Sequence, residues 1–207
     1  IVRTVFHGYA ERPALGQRAV EYVTDPATGR TAAALLPHYE TITYGELGER
    51  VRAAAAALSA GAVRPGDRVA VLGFTSVDYT VIDVALGQIG AVSVPLQTSA
   101  AISTLVPIVT ETEPRVIAAS VDSLPDAVEL VRTGPAPTRL VVFDYHEQVD
   151  DHREALADAR ARLAGVEVVV EPLSDLLTRG HALSLADLPD FGDDANPLAL
   201  LVYTSGS

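Results

Sequence analysis

The sequence predicts an α/β fold in which helices flank a layered, mostly parallel sheet. Short apolar runs, typical of buried strands, alternate with stretches of helical periodicity from residue 69 onward. The composition, with 48% hydrophobic and 20% charged residues, is that of a globular chain rather than a disordered one. The 207 residues are enough to form one domain or part of a larger one.

The first element predicted from the sequence is a β-hairpin. Two β-prone runs, residues 18–24 and 39–43, lie on either side of residues 25–29, whose Pro and Gly favour a turn. The distance between the two runs indicates a hairpin with a long connection.

A helix should follow the hairpin directly. Thr43 and Glu46 have the spacing of a capping box, in which each residue hydrogen-bonds the backbone of the other. Apolar residues then recur on one helical face until Gly61. We therefore expect a helix from Tyr44 to about Ala60.

The next segment predicts a β-α-β unit. Residues 64–67 form a turn signal, and residues 69–73 are a short apolar run of the kind found in buried parallel strands. Ser76 can cap a helix whose apolar face continues to Gly90, and residues 91–95 predict the next strand.

The same alternation continues more loosely to residue 170. It predicts helices near 103–112, 124–131 and 150–163, and strands at 116–119, 140–143 and 166–170. The stretch 172–197 is predicted to be irregular, and its acidic residues indicate a solvated loop rather than a metal site. These acidic residues are Asp187, Asp190, Asp193 and Asp194. Residues 198–203 predict a final buried strand.

The charge and residue usage exclude several classes of protein. A formal net charge of −12 disfavours binding to nucleic acid or to a membrane surface. No apolar run approaches the roughly 18 to 20 residues of a membrane span, and no signal peptide is evident, so a soluble cytoplasmic protein is expected. The absence of Cys excludes disulfides. The absence of Met indicates a chain that starts inside a longer reading frame or has been trimmed, with chance in a short sequence as the alternative.

The clearest chemical motif is the group of small polar residues that follows the final predicted strand. Thr204, Ser205, Gly206 and Ser207 combine hydroxyl donors with a glycine that lets backbone N–H groups approach a phosphate. Taken alone, such a sequence is also typical of an ordinary turn. Neither the G-x-x-x-x-G-K-[ST] motif nor the G-x-G-x-x-G motif occurs in the chain, so a phosphate loop here would be of another kind.

Three other candidate sites have simpler structural explanations. Residues 190–192 spell Asp-Phe-Gly, but the other motifs of a kinase are missing. His146 and His152 are six residues apart, which would place them on different faces of a helix and favours surface or capping roles. Residues 73–76 form a strand-to-helix turn, which capping by Ser76 explains without a ligand.

Several motifs resemble the acyl-adenylating (ANL) superfamily, and the carboxylic acid reductases in particular. Residues 201–207 resemble the first half of the superfamily's phosphate-binding motif, whose continuation Thr-Gly-x-Pro-Lys-Gly is not in this sequence. Residues 43–47 and 90–95 resemble two further superfamily segments in the same order. The stretches similar to carboxylic acid reductases are residues 12–18, 71–79, 94–99 and 141–146.

This resemblance implies that residues 1–207 are the N-terminal part of one adenylation domain, which ends within its phosphate loop. It implies ATP and Mg²⁺ as cofactors, a carboxylic acid as substrate, and Thr204, Ser205, Gly206 and Ser207 as the start of the ATP phosphate loop. It also implies carrier and reductase domains in the same polypeptide, which use phosphopantetheine and NADPH. The catalytic lysines of the family have no counterpart because the chain contains no Lys, so the chain alone is expected to be inactive.

Two alternatives stay open on the sequence alone. An acyl-CoA or fatty-acid ligase would use the same adenylation step. A non-catalytic α/β binding module would also fit, since no complete active site is present.

Overall fold

The computed structural model describes residues 2–61, 63–184, 189 and 196–204. Two sheets are present in this part of the chain: an antiparallel hairpin, β1–β2, and a five-stranded parallel sheet with the order β4-β3-β5-β6-β7. The strands are β1 (Pro13–Thr24), β2 (Thr31–Thr43), β3 (Arg68–Leu72), β4 (Val92–Leu96), β5 (Val116–Ser120), β6 (Arg139–Phe143) and β7 (Val169–Pro172). The helices are α1 (Val2–Gly8), α2 (Tyr44–Ala60), α3 (Val77–Ile89), α4 (Ile102–Thr112), α5 (Leu124–Thr133), α6 (Asp150–Arg162) and α7 (Leu173–His181), with one 3₁₀ turn at Val121–Ser123.

The parallel sheet is covered by helices on both faces, which confirms the predicted α/β architecture. Alternate residues of a strand point to opposite faces, so Val69 and Val71 of β3 belong to one core cluster while Ala70 and Leu72 belong to the other. Helices α2, α3 and α7 cover the first face, and α4, α5 and α6 cover the second. Strands buried on both faces need continuous apolar sequence, and for this reason the short apolar runs predicted the strands of the parallel sheet.

Local capping positions α2 and α3 as predicted. The Thr43 hydroxyl accepts a hydrogen bond from the Glu46 backbone N–H at 3.2 Å, and the Glu46 carboxylate accepts one from the Thr43 N–H at 2.7 Å. The Ser76 hydroxyl accepts from the Tyr79 N–H at 3.1 Å. Helix α3 ends at Gly90, whose φ of 70° is the left-handed conformation that glycine adopts without strain.

The hairpin is present, but its predicted long connection is wrong. Strand β2 begins at Thr31, which pairs with Thr24, so only residues 25–30 connect the strands. Asp25 closes this turn because its carboxylate accepts hydrogen bonds from the Ala27 N–H and the Thr28 hydroxyl. The alanines at the start of β2 have low strand propensity, and cross-strand pairing with β1 overrides it.

The prediction that residues 172–197 are irregular is wrong for their first part, which forms α7. Leu173 and Leu176 of this helix are buried in the first core cluster. Gly180 lies so close to α2 that a Cβ there would stand 1.9 Å from the Ala53 carbonyl oxygen. Strand β7 is also displaced toward the C-terminus, to Val169–Pro172. The acidic positions Asp187, Asp190, Asp193 and Asp194, and the Asp-Phe-Gly stretch, lie outside the described residues.

The predicted final strand is reduced to one bridge. Leu200 pairs in parallel with Ser93 of β4, through the Ser93 N–H to the Ala199 carbonyl at 3.0 Å and the Leu201 N–H to the Ser93 carbonyl at 2.9 Å. The prediction of a buried strand is wrong here, because the side chains of Leu198, Leu200 and Val202 are 56%, 50% and 62% exposed. Among the described residues, β4 is the only strand that pairs with this segment.

Candidate functional site

The carboxyl ends of the parallel strands form the edge where a ligand is expected. In open α/β sheets, ligands bind in the crevice beyond the carboxyl ends of the strands. All five strands of the large sheet run in the same direction, and residues 199–201 run parallel to β4, so they end at this same edge. The residues that follow the strands are therefore the first candidates for a functional site.

Thr204 emerges at this edge. It lies four residues beyond Leu200, just as Gln97 lies four residues beyond the paired Ser93, and its side chain is exposed. The Gln97 amide donates a hydrogen bond to the Ser99 hydroxyl at 3.0 Å, so the neighbouring β4–α4 loop is also polar. Ser205, Gly206 and Ser207 lie outside the described residues, and their assignment to a phosphate loop stays a prediction.

The burial of Tyr203 connects this segment to the core. Its ring and the Leu201 side chain are partly buried and pack against the second core cluster. Burial, followed by the neighbouring Glu111 carboxylate, raises the pKa of the Tyr203 hydroxyl above its usual value. Tyr203, which directly precedes Thr204, therefore anchors this segment to the core, while side chains on the opposite face of the segment, such as Val202, are exposed.

The loop after β3 is shaped by packing rather than by a ligand. A Cβ at Gly73 would stand 2.5 Å from the Phe143 ring, so glycine is needed there to accommodate the aromatic side chain. The Ser76 hydroxyl is used as the cap of α3, in agreement with the capping explanation. Phe74, between them, is 80% exposed at the same edge of the sheet.

Asp144 is a candidate site residue that the sequence analysis did not single out. It directly follows β6 and has a φ of 53°, an uncommon conformation for a residue with a side chain. Its backbone N–H donates to the Asp78 carboxylate at 3.1 Å. Burial, reinforced by the charges of Asp78 and Asp122, raises the pKa of its carboxyl group to about 6, although a hydrogen bond from Ser76 opposes the shift. An Asp immediately after a buried strand was the sequence signal that could have identified it.

His146 and His152 form a stacked pair, so the prediction that they lie on different faces of a helix is wrong. His146 is in the loop before α6 and His152 is in its first turn, with ring centroids 5.7 Å apart. The His152 Nδ1 accepts the His146 backbone N–H at 3.0 Å, a bond to the preceding loop rather than a helix cap, since α6 has no side-chain cap. Burial, followed by the nearby His146 ring, lowers the pKa of His152. The His146 Nδ1 lies 3.0 Å from the Tyr22 hydroxyl of the hairpin.

Within the part of the chain that the structure describes, no group of three or more His, Asp or Glu side chains is arranged to hold a metal ion. The carboxylates of Asp78 and Asp144 are neighbours, but they do not form such a group.

Comparison with known proteins defines the class of protein first. The model of the AMP-binding enzyme family matches residues 19–207. This span includes the whole parallel sheet and the segment that carries Thr204. The chain therefore belongs to the AMP-binding enzyme family.

Within this family, the chain is similar to carboxylic acid reductases over its whole length. It is 62% identical to the carboxylic acid reductase of Mycobacterium tuberculosis and 48% identical to that of Segniliparus rugosus, in each case over 100% of this chain and 18% of the relative. The chain thus spans about a fifth of the length of these relatives.

Solved structures agree with this likeness. The adenylation domain of the Segniliparus rugosus reductase, in complex with AMP and a co-purified carboxylic acid, superposes with a TM-score of 0.94 at 47% identity. The match covers 99% of this chain and 33% of that domain. An anthranilate CoA ligase shares the fold, with a TM-score of 0.66 at 16% identity.

Proposed function

We propose that the protein activates a carboxylic acid with ATP, forming an acyl-adenylate and releasing pyrophosphate. The observation that carries the proposal is the likeness to carboxylic acid reductases along the entire chain, at 62% identity for the Mycobacterium tuberculosis protein. The Segniliparus rugosus adenylation domain, which was solved with AMP and a carboxylic acid, supports the same interpretation.

The chemistry explains why the residues of this chain would not be sufficient alone. A carboxylate oxygen attacks the α-phosphorus of ATP, an acyl–oxygen–phosphorus bond forms, and the bond to pyrophosphate breaks. Because anions meet in this step, cationic groups must offset the developing charge, and Mg²⁺ would supply part of that offset when bound. The chain has no Lys, so its own contribution would be the hydroxyl and backbone donors of Thr204, Ser205, Gly206 and Ser207.

The proposal extends to a second stage in the complete protein. A phosphopantetheine thiol on a carrier domain would capture the acyl group, and NADPH at a reductase domain would reduce the thioester to an aldehyde. Residues 1–207 would then be the N-terminal part of a single adenylation domain. The large share of the relatives' length that this chain does not cover leaves room for those domains.

The proposed partners are small molecules and other domains of the same polypeptide. The net charge of −12 argues against nucleic acid, since a phosphate backbone would be repelled. None of the helices in the described ranges has the length and apolar character needed to cross a membrane. We place the reaction in the cytoplasm, where ATP and NADPH are both available.

An acyl-CoA ligase is the second candidate, because the adenylation step is shared. A feruloyl-CoA synthase of Amycolatopsis is 53% identical over 55 residues, which is 27% of this chain. The reductase proposal is preferred because its matches cover the whole chain. Coenzyme A dependence would separate the two: a ligase forms an acyl-CoA from acid, ATP and coenzyme A, whereas the reductase forms an aldehyde only with NADPH.

Gly206→Val in the intact protein tests the phosphate loop. A branched side chain at this position should keep backbone N–H groups away from the ATP phosphates, so acid-dependent ATP–pyrophosphate exchange should be lost for every acid. NADPH oxidation with a supplied acyl thioester should survive, because it occurs at a separate domain. Gly87→Val is the matched control, since the space around Gly87 is open.

Unchanged exchange in Gly206→Val would overturn the assignment of the phosphate loop. Loss of exchange in Gly87→Val as well would show that the assay responds to general destabilisation. If the unmodified protein lacks acid-dependent exchange altogether, the adenylation proposal is wrong.

A further inference from the structure

A cavity of about 360 Å³ opens beside the carboxyl end of β6. The β1 strand, α2, the start of α3, the β6–α6 loop and α7 surround it. This volume lies at the lower end of the range of small-molecule sites, which are concave and combine an apolar lining with a few convergent polar groups. Leu177 provides apolar lining, and the charged residues divide into an acidic and a basic group.

The acidic group consists of Asp78 and Asp144. The Asp78 carboxylate accepts the Asp144 backbone N–H at 3.1 Å, which brings the two side chains to the same wall of the cavity. Arg50 pairs with Asp78 at 3.7 Å, whereas no described cation pairs with Asp144, whose pKa is raised by burial and by the charges of Asp78 and Asp122. A positively charged group beside Asp144 would relieve the repulsion between the two carboxylates.

The basic group consists of Arg50 and His181. The Arg50 Nη1 is 3.7 Å from Asp78 Oδ1, too far for a hydrogen bond, and no other described residue accepts one from this guanidinium. The His181 Nδ1 lies 3.3 Å from the Arg52 guanidinium, which can only donate, so Nδ1 accepts and the other ring nitrogen, Nε2, carries an N–H. Arg50 and His181 therefore retain N–H donors for an anion.

We propose that this cavity binds a small zwitterion, an aliphatic amino acid in chemical class. Asp78 and Asp144 bind its ammonium group, Arg50 binds its carboxylate, and Leu177 contacts its carbon chain. A simple amine or a simple carboxylate would meet only one of the two charged groups, and a neutral polyol would meet neither. The proposal is independent of the adenylation proposal, because no ATP-binding residue enters it.

Calorimetric titration of the purified intact protein, without ATP, tests the proposal at neutral pH. The probes are alanine and 4-aminobutyrate as zwitterions, propylamine and butyrate as single charges, and glycerol as a neutral compound. We expect saturable binding of at least one zwitterion, about fivefold tighter than that of either single-charge probe, the factor that corresponds to one favourable ion pair. Arg50→Gln and Asp144→Asn should each weaken zwitterion binding by a similar factor.

Two further variants keep the test decisive. Asp83→Asn, which removes an exposed carboxylate of α3 outside the cavity, should bind as tightly as the unmodified protein. Thr178→Leu leaves every charge in place and adds bulk to the cavity wall, so it should weaken binding even if Asp144→Asn does not fold. The proposal is overturned by absence of saturable zwitterion binding, by glycerol binding equally well, or by unchanged affinity in Thr178→Leu.

Discussion

At the β7 edge of the parallel sheet, side chains of the same chain cover the outer strand, whereas at the β4 edge one short segment pairs at a single position. Glu171 of β7 is only 7% exposed and binds Arg139 of β6 and Arg179 of α7. Arg160 donates to the Val170 carbonyl at 3.2 Å, and Pro172 ends the strand without a free N–H. At the β4 edge, by contrast, Leu198, Leu200 and Val202 are exposed.

The difference depends on whether the residues that directly follow an edge strand in sequence fold back to cover that strand. Strand β7 continues without a break into α7, and this helix returns to α2 and brings Arg179 to Glu171. Strand β4 is followed by α4, which covers one face of the sheet but not its edge. The β7 edge should therefore respond strongly to substitution, and the β4 edge weakly.

The largest expected effect is that of Gly180→Ala at the β7 edge. A Cβ would stand 1.9 Å from the Ala53 carbonyl oxygen, and backbone atoms cannot move aside as a flexible side chain can. Helix α7 would have to shift from α2, so we expect a loss of about 3 kcal/mol in the free energy of unfolding, measured by urea titration. Gly87→Ala is the matched control, where open space should give a gain of about 0.5 to 1 kcal/mol. Equal stability of the two variants would contradict the close α2–α7 packing.

Glu171→Gln should have the next largest effect. The change leaves Arg139, whose side chain is only 18% exposed, without its carboxylate partner and weakens the contact with Arg179, and we expect a loss of about 2 kcal/mol at neutral pH. Glu49→Gln, which removes an exposed ion pair with Arg52, should change stability by less than about 0.5 kcal/mol.

The Glu171 effect should also depend on pH. Burial on its own would raise the pKa of Glu171, but hydrogen bonds from Arg179 and the charges of Arg139 and Arg179 outweigh it and lower the pKa below the usual value. A lowered folded-state pKa stabilises the protein above the unfolded pKa, and this stabilisation is lost as the pH falls through the folded value. Urea titrations should therefore show the difference between Glu171→Gln and the unmodified protein shrinking below about pH 4. A constant difference down to pH 2 would contradict the ion-pair explanation.

Ser93→Ala tests the β4 edge with a smaller effect. The Ser93 hydroxyl is buried, and no hydrogen-bond partner for it is found among the described residues. Removing it should leave stability unchanged or raise it by up to about 1 kcal/mol. Ser120→Ala is the matched control in β5: its hydroxyl donates to Ser123 at 3.0 Å, so its loss should cost about 1 kcal/mol. Thermal unfolding should separate the two, and a larger loss in Ser93→Ala would reveal a partner for that hydroxyl.

The smallest change in stability is expected when Leu198, Leu200 and Val202 are all replaced by Ser. These side chains are already exposed, so the free energy of unfolding should change by less than about 0.5 kcal/mol. Fluorescence of a dye that binds apolar surface should nevertheless decrease, because the three form one exposed apolar face. Leu35→Ser, at a single exposed leucine of the hairpin, should leave dye fluorescence nearly unchanged. A sharp drop in stability of the triple variant would mean that this face is packed.

Elements defined by neighbours in sequence could be predicted closely. Helix α2 begins at Tyr44 because Thr43 and Glu46 satisfy each other's backbone groups, and α3 ends at Gly90 because glycine adopts a left-handed conformation there. The resemblance to the acyl-adenylating family likewise agreed with the family match over residues 19–207, while the assignment of Thr204 to Ser207 to a phosphate loop stays a prediction. The α/β alternation followed from apolar runs that only buried parallel strands require.

Features that depend on distant contacts could not be predicted in the same way. The early start of β2 is set by pairing with β1, and α7 is held by a glycine against Ala53, more than 120 residues away in sequence. Burial, with smaller contributions from the charges of Asp78 and Asp122, raises the pKa of Asp144, and these groups meet at one edge of the sheet only because three parallel strands end there.

Local hydrogen bonding and hydrophobic periodicity are properties of short stretches of chain, so the sequence by itself determined the helices α2 and α3, the buried strands and the family. The pairing of edges, the burial of charges and the cavity beside β6 depend on which elements meet, and only the tertiary structure decided them.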